Sequence, residues 1–193
     1  MQDTDYKTDH DTFTAHDFWS DVIGPRVLQP AVNLTSLSME SSAEFGTLIR
    51  LDLSSIIFPY LTSLSLSSFT RDDTRRDHRA VSLEAEDLIV RHGKTLEKLK
   101  LHSCTICIPC YRSTPARSWE TVWNRFTDEL TKLVDLNVEY NFGLRYVQYI
   151  PAYGFSTLPT YSIPGTEQDI SALEALSTIV NGRKGLVVIS GVN

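Results

Sequence analysis

Three groups of side chains stand close enough together in this sequence to do chemistry. The first is Cys104, Cys107 and Cys110, with His92 and His102 upstream. Thiolates at such spacing can ligate zinc, and a histidine would complete the tetrahedral set. An iron–sulfur run would continue with a further Cys-Pro, but Thr114-Pro115 stands in that place and the chain holds only 3 cysteines. The competing reading makes Cys104 a small buried hydrophobe. It is preferred, so no metal and no cofactor are expected. The second group is Lys98, Lys100 and His102, alternating along one short segment. Basic groups so spaced favour carboxylate or phosphate partners. The third is a run of aromatics from Tyr140 to Tyr161 that includes Tyr146 and Tyr149. Tyrosine offers contact area and a hydrogen bond at low entropic cost, so it suits an interface as well as a core. With Pro151, Pro159 and Pro164 the run reads as irregular.

No catalytic template is present. There is no glycine-rich phosphate loop, no Gly-x-Ser-x-Gly elbow and no His-Glu-x-x-His. The remaining histidines, His10, His16 and His78, are scattered. The chain is read as a non-enzyme.

The elements that would position these groups come from a recurring pattern, leucine-x-x-leucine-x-apolar. It starts at Leu34, Leu61, Leu96 and Leu133, with spacings of 27, 35 and 37 residues. A partial copy at Leu48 is read as a connecting segment. Apolar residues at the fourth and sixth places alternate inward along a short strand, and the residues between face outward. The spacing is that of leucine-rich repeats, whose usual length is about 20–29 residues, so the longer units carry insertions. One insertion is placed at Arg71–Arg79, an Arg/Asp-rich stretch read as a solvated loop. The third copy completes the pattern with Cys104 and Ile106; the fourth offers Asn141 but Gly143, and the first two have Ser42 and Phe69.

Helices are expected between strands. Trp119, Val122, Trp123, Phe126 and Leu130 share one helical face, with Ser118 as N-cap. Glu84 to His92 is a second helix ended by a C′ glycine, Gly93. Asp169 would cap a third, burying Ile170, Leu173, Leu176, Ile179 and Val180 and ending at Gly182. Leu186 to Ile189 reads as a strand-like tail. The fold class is α/β: a short, irregular leucine-rich-repeat solenoid with parallel strands on one face and helices on the other. Residues 1–32 are expected to form an acidic, disordered arm or partial cap, 33–183 the repeat domain and 184–193 a tail.

Stacked copies would align their outward residues in rows. The first row is Ser36, Ser63, Lys98 and Asp135. The second is Ser38, Ser65, Lys100 and Asn137, and the third is Glu40, Ser67, His102 and Glu139. Such an extended face is where solenoids bind, so these rows, with Tyr146 and Tyr149, form the expected partner site.

Composition agrees with a folded protein: 41% hydrophobic and 22% charged, with a formal net charge of −6. That charge speaks against nucleic acid, which favours a basic footprint. No apolar run is long enough to span a bilayer. The first 20 residues hold 5 aspartates and no apolar stretch, so no secretory signal is read there. With an odd cysteine count this places the protein in the cytoplasm or nucleus.

The order of motifs resembles the C-terminal leucine-rich part of fungal F-box proteins. The resemblance runs through Leu51-Asp52-Leu53-Ser54-Ser55, Phe58-Pro59 and His92-Gly93-Lys94-Thr95-Leu96-Glu97. It continues through the Trp119 helix, Leu144-Arg145-Tyr146-Val147, Tyr153-Gly154 and Ala172-Leu173-Glu174-Ala175-Leu176, covering roughly residues 33–183. It implies a non-catalytic protein-recognition module, the substrate-binding part of an F-box-type ubiquitin-ligase adaptor. Residues 1–33 show no F-box pattern, so the ligase adaptor would engage only if an F-box is supplied elsewhere. Two other readings remain open: a small metal-dependent enzyme or metal-binding protein using the cysteine cluster, and a truncated product without activity. An isolated chain of this kind is expected to self-associate or depend on chaperones.

Overall fold

The computed structural model describes residues 22–23, 26–40, 56–67, 70–72, 84–109, 118–139, 145–150, 154–157 and 166–190. In chain order its elements are β1 (Ser36–Glu40), β2 (Ser63–Ser67), β3 (Thr70–Asp72), α1 (Glu84–Arg91), β4 (Lys98–His102), β5 (Thr105–Pro109), α2 (Trp119–Glu129), β6 (Asp135–Glu139), β7 (Arg145–Ile150), β8 (Gly154–Thr157) and α3 (Thr166–Ser190). The fold is α/β. One sheet has the order β1-β2-β4-β6, the other β3-β5-β7-β8. The first is parallel throughout, and the second is parallel except for the antiparallel β7–β8 pair.

Each strand of the first sheet begins at the residue two after the first leucine of a copy. Alternation then sends the fourth and sixth places inward. Leu64, Leu66, Leu99 and Leu101 are buried. Their counterparts Leu37, Leu136 and Val138 on the outer strands are partly covered. Edge position accounts for this, because β1 and β6 each have one strand neighbour in this sheet, although Met39 at the sixth place of β1 is buried as well. Each fully buried leucine contributes roughly 1.5–3 kcal/mol.

The backbone repeats itself more strictly than the sequence. The carbonyl of Thr35 accepts from the amides of Thr62 and Ser63 at 2.9 and 3.1 Å. The carbonyl of Thr62 does the same for Glu97 and Lys98 at 2.8 and 2.9 Å, and that of Glu97 for Val134 and Asp135 at 2.9 and 3.0 Å. A turn precedes each strand, with the amides of Leu34, Leu61 and Leu133 donating three residues back and Leu96 donating four back, to His92.

The helices are stitched side to side by polar groups. Ser118 caps α2, its Oγ accepting from the Thr121 amide at 3.3 Å, and Trp119, Val122, Trp123 and Phe126 are buried as the periodicity predicts. Trp119 stacks on Trp123 with centroids 4.9 Å apart, and Phe126 meets Trp123 edge-on at 5.8 Å. The Trp123 indole N–H has no hydrogen-bond partner among the described residues, so aromatic packing there outweighs a polar cost of about 1–3 kcal/mol. Arg125 reaches Glu86 and Asp87 of α1 at 2.9 and 2.8 Å. Burial works against its charge, but the hydrogen bonds to Glu86 and then Asp87 prevail and push its pKa up.

Several expectations are corrected. Asp169 is not the N-cap residue of its helix, which begins at Thr166. It lies inside α3, fully buried, and its Oδ1 accepts the Glu120 amide at 2.7 Å, satisfying a free donor in the first turn of α2. Leu176 and Val180 are buried as expected, but Ile170 and Ile179 are exposed, because the stripe set by Asp169, Leu176, Val180 and Arg183 turns them away. Gly182 does not end α3, and Leu186 to Ile189 are helical rather than strand-like. A Cβ at position 182 would meet nothing within 4 Å, so no close approach requires the glycine there. Tyr140–Tyr161 is less irregular than its prolines imply, since β7 and β8 pair within it. Arg71 and Asp72 belong to β3, so part of the charged loop is strand. Leu28, within the expected arm, is buried in the core. The Leu48 copy, Asn141 and Gly143 lie outside the described residues, as do Ser42, Phe69 and residues 1–21. Among the described residues no helix is long and apolar enough to cross a membrane.

Gly93 follows α1, as expected, but not to provide left-handed backbone. A Cβ there would run into the backbone oxygen of Glu129, so glycine lets α1 and α2 approach. Gly93→Ala should cost about 1–3 kcal/mol, read as a lowered urea midpoint; unchanged stability would contradict the close approach.

His92 ties α1 to the segment before β2. Its Nδ1 donates to the Leu88 carbonyl at 2.7 Å, and its Nε2 accepts the Phe58 amide at 2.9 Å. Both bonds require the neutral ring. Burial lowers its pKa by more than the Leu88 hydrogen bond raises it, and the charge of Arg91 lowers it further. The unfolded ring therefore takes up protons first as pH falls below the ordinary 6.5, and stability falls with it. Between pH 7 and about 5.5 the wild type should lose stability that His92→Gln, already weaker at pH 7, does not lose. Parallel losses in urea titrations of the two proteins would rule His92 out as the source.

Candidate functional site

The outward face of the β1-β2-β4-β6 sheet holds most of the residues that the sequence nominates. The observed register pairs Ser36 with Ser63, Ser63 with Lys98 and Lys98 with Asp135. One step along the face, Ser38, Ser65, Lys100 and Asn137 align, followed by Glu40, Ser67, His102 and Glu139. The columns therefore differ in chemistry: two hydroxyls and a carboxylate on β1, hydroxyls on β2, basic groups on β4, carboxylates and an amide on β6. Ser63, Ser65, Ser67 and His102 are half-buried, and the other members of the rows are exposed.

The alignment arises because the core leaves no freedom of register. A slip of one residue on any strand would turn its leucines outward and its polar residues inward. Sequence positions that set the core thereby place the face.

Side-chain contacts divide this face into two parts. At its C-terminal end, Lys100 Nζ lies 3.2 Å from Glu139 Oε1, which also accepts from Asn137 Nδ2 at 2.9 Å. These partners hold the Glu139 carboxyl below its ordinary range, the Asn137 hydrogen bond first and Lys100 second. His102 Nδ1 and Ser67 Oγ are 3.1 Å apart, and His102 Nε2 faces Ser103 Oγ at 3.5 Å. Ser103 turns the chain from one sheet to the other with φ of 51°, a left-handed conformation uncommon outside glycine. Its amide donates to the Glu139 carbonyl at 3.0 Å. At the N-terminal end, Ser36, Ser63, Lys98 and Asp135 make no such network among the described residues.

The serine–imidazole contact resembles half of a nucleophilic arrangement, but the other ring nitrogen meets a hydroxyl where a carboxylate would orient it. Glu139 is engaged with Lys100 and Asn137 instead. What the face can do is donate and accept hydrogen bonds and offer a cation.

Tyr146 and Tyr149 are placed elsewhere. They belong to β7, paired with Ile106 and Pro109 of the second sheet, and so stand apart from the polar rows. The Cys104 thiol is buried and points to the Leu66 carbonyl at 3.6 Å, the inward ninth place that the repeat assigns to it; Ile106 is likewise buried. Among the described residues no cluster of three His, Cys, Asp or Glu side chains could hold a metal ion. The side chain of Cys107 and all of Cys110 lie outside that set. Ser103 and the Lys100–Glu139 pair were not singled out by the sequence. The pair could be found from it, since Lys100 sits diagonal to Glu139 once the rows are drawn.

Comparison with family models, with curated proteins and with solved structures finds no match.

The carboxyl of Glu139 should titrate below the ordinary 4.5 in a side-chain carbon NMR experiment. Asn137→Ala should raise it more than Lys100→Met does. A larger response to Lys100→Met would show that charge, rather than the amide hydrogen bond, sets the shift.

Proposed function

We propose that the chain is a short, irregular leucine-rich-repeat solenoid that acts as a non-catalytic protein-recognition module, with the polar rows as its binding face. The observation that carries the reading is the continuous register of four strands, which aligns twelve outward side chains into three rows. Extended faces of stacked units are suited to grip a segment of another protein. The recurrence of the same carbonyl contact between successive units supports the repeat reading.

The resemblance to F-box proteins supplies the physiological context. The bound protein would be a substrate for ubiquitin ligation in the cytoplasm or nucleus, and the ligase adaptor would engage through an F-box on another chain or segment. The inward Cys104 thiol gives the metal reading no support.

Affinity capture of the tagged full chain with the proteasome blocked, followed by mass spectrometry, tests this reading. Proteins recovered by the wild type should be lost with Ser65→Arg plus Asn137→Arg, which crowd the face. They should be kept with Glu129→Arg, an exposed change outside it. Recovery that ignores the face variant would refute it, and recovered proteins whose levels do not rise on proteasome inhibition would refute the ligase context.

A further inference from the structure

We infer that the partner anchors through a single carboxylate on Lys98, in a polar extended segment that lies over the serine hydroxyls of β1 and β2. The inference rests on the recognition reading above and names the chemistry of the partner. Of the three basic positions on β4, two are already engaged. Lys100 is paired with Glu139, and the His102 ring lies between Ser67 and Ser103. Lys98 is exposed and has no ion pair among the described residues. Its register neighbours are Ser63 and Asp135.

The surroundings of Lys98 decide which anion fits. On one side the strands carry Ser36, Ser38, Ser63 and Ser65, short side chains above which a lysine stands out. Strands spaced about 4.8 Å apart make this shelf roughly 10 Å wide from β1 to β4, enough for one extended chain. On the other side Asp135 lies directly beside Lys98, whereas the carboxylate of β1, Glu40, stands at the far end of its strand and Glu139 is paired with Lys100. A dianionic phosphate placed on Lys98 would bring two charges against Asp135, whereas a carboxylate brings only one. Like charges placed together in an interface select against the wrong partner. The face therefore favours Asp or Glu over phosphoserine, and it favours a segment directed toward β1 rather than β6.

Random dodecapeptides displayed on phage, selected on the full chain, supply the probe. The selected peptides should carry one acidic residue among small polar ones. Synthetic copies should lose affinity on the order of tenfold or more with Lys98→Glu, keep it with Lys184→Gln, an exposed lysine of α3 outside the face, and bind less well with phosphoserine in place of the acid. Replacing the peptide acid by lysine should restore binding to Lys98→Glu, which separates a direct contact from misfolding. Peptides blocked by Ser65→Arg but indifferent to Lys98→Glu would overturn the anchor and leave the recognition face standing. Peptides indifferent to both would overturn the face as well. A preference for phosphoserine, or selection of no acidic sequence, would overturn the carboxylate assignment.

Discussion

The described structure depends on a contact that involves no side chain. At the start of each strand one carbonyl accepts two successive amides of the next unit, first at Thr35, then at Thr62 and Glu97. Two threonines and a glutamate carry it, and the donors differ in type from unit to unit, so the contact belongs to backbone geometry. It fixes where each strand begins relative to its neighbour. With that point fixed, period-2 alternation determines which side chains enter the core and which leave it. Units of 27 and 37 residues can stack in one register because the extra length lies in the connections, outside the contact.

The helical layer adds a different kind of fastening. Strands in a parallel sheet need long crossovers, and a crossover must be held down to contribute stability. His92 and Arg91 do this for the segment before β2, with Arg91 donating to the Ile56 carbonyl at 2.8 Å. Arg183 does it for the turn before β6, donating to the Leu130 carbonyl at 2.7 Å. In both places a basic side chain at or near a helix satisfies backbone carbonyls of a turn that lacks regular pairing. Asp169 supplies the opposite sign, accepting an amide from the start of α2. The polar groups in the core thus answer backbone needs created by the irregular connections.

The strands of the first sheet were legible in the sequence because leucine spacing and strand alternation are the same fact, whereas the second sheet, β3-β5-β7-β8, follows no such spacing and was not expected. Aligning the four copies also reproduces the rows of the sheet, since the core enforces the register. What the sequence conceals depends on contacts distant along the chain. Asp169 reads as a helix cap because aspartate at a helix start usually is one, yet its acceptor role is played toward residue 120. Gly182 reads as a stop because glycine often follows helices, but a glycine in open space permits continuation at a cost of only about 1 kcal/mol. Gly93 is where the rule names the right place and the wrong reason. Its small size matters because of Glu129, a residue no local pattern connects to it.

The face obeys a looser constraint than the core, and that makes its chemistry informative. Inward places must be apolar and of fitting size, whereas an outward place on a solvated sheet tolerates most polar residues. Stability alone therefore does not require the serines of β1 and β2 beside the lysines of β4, or the carboxylates of β6 beyond them. Pairing explains part of the arrangement: Lys100 and Glu139, with Asn137, neutralise one another at the C-terminal end. An exposed ion pair of this sort adds little to stability, on the order of 0–1 kcal/mol, and its effect is mainly to remove a cation from the face. The half-buried serines of β2 contribute little hydrophobic burial where a threonine or valine would contribute more. A sheet that forgoes such packing in its second strand keeps that strand low and hydrogen-bonding. With Lys98 beside it, the N-terminal end of the face is the part whose chemistry the fold itself leaves unused.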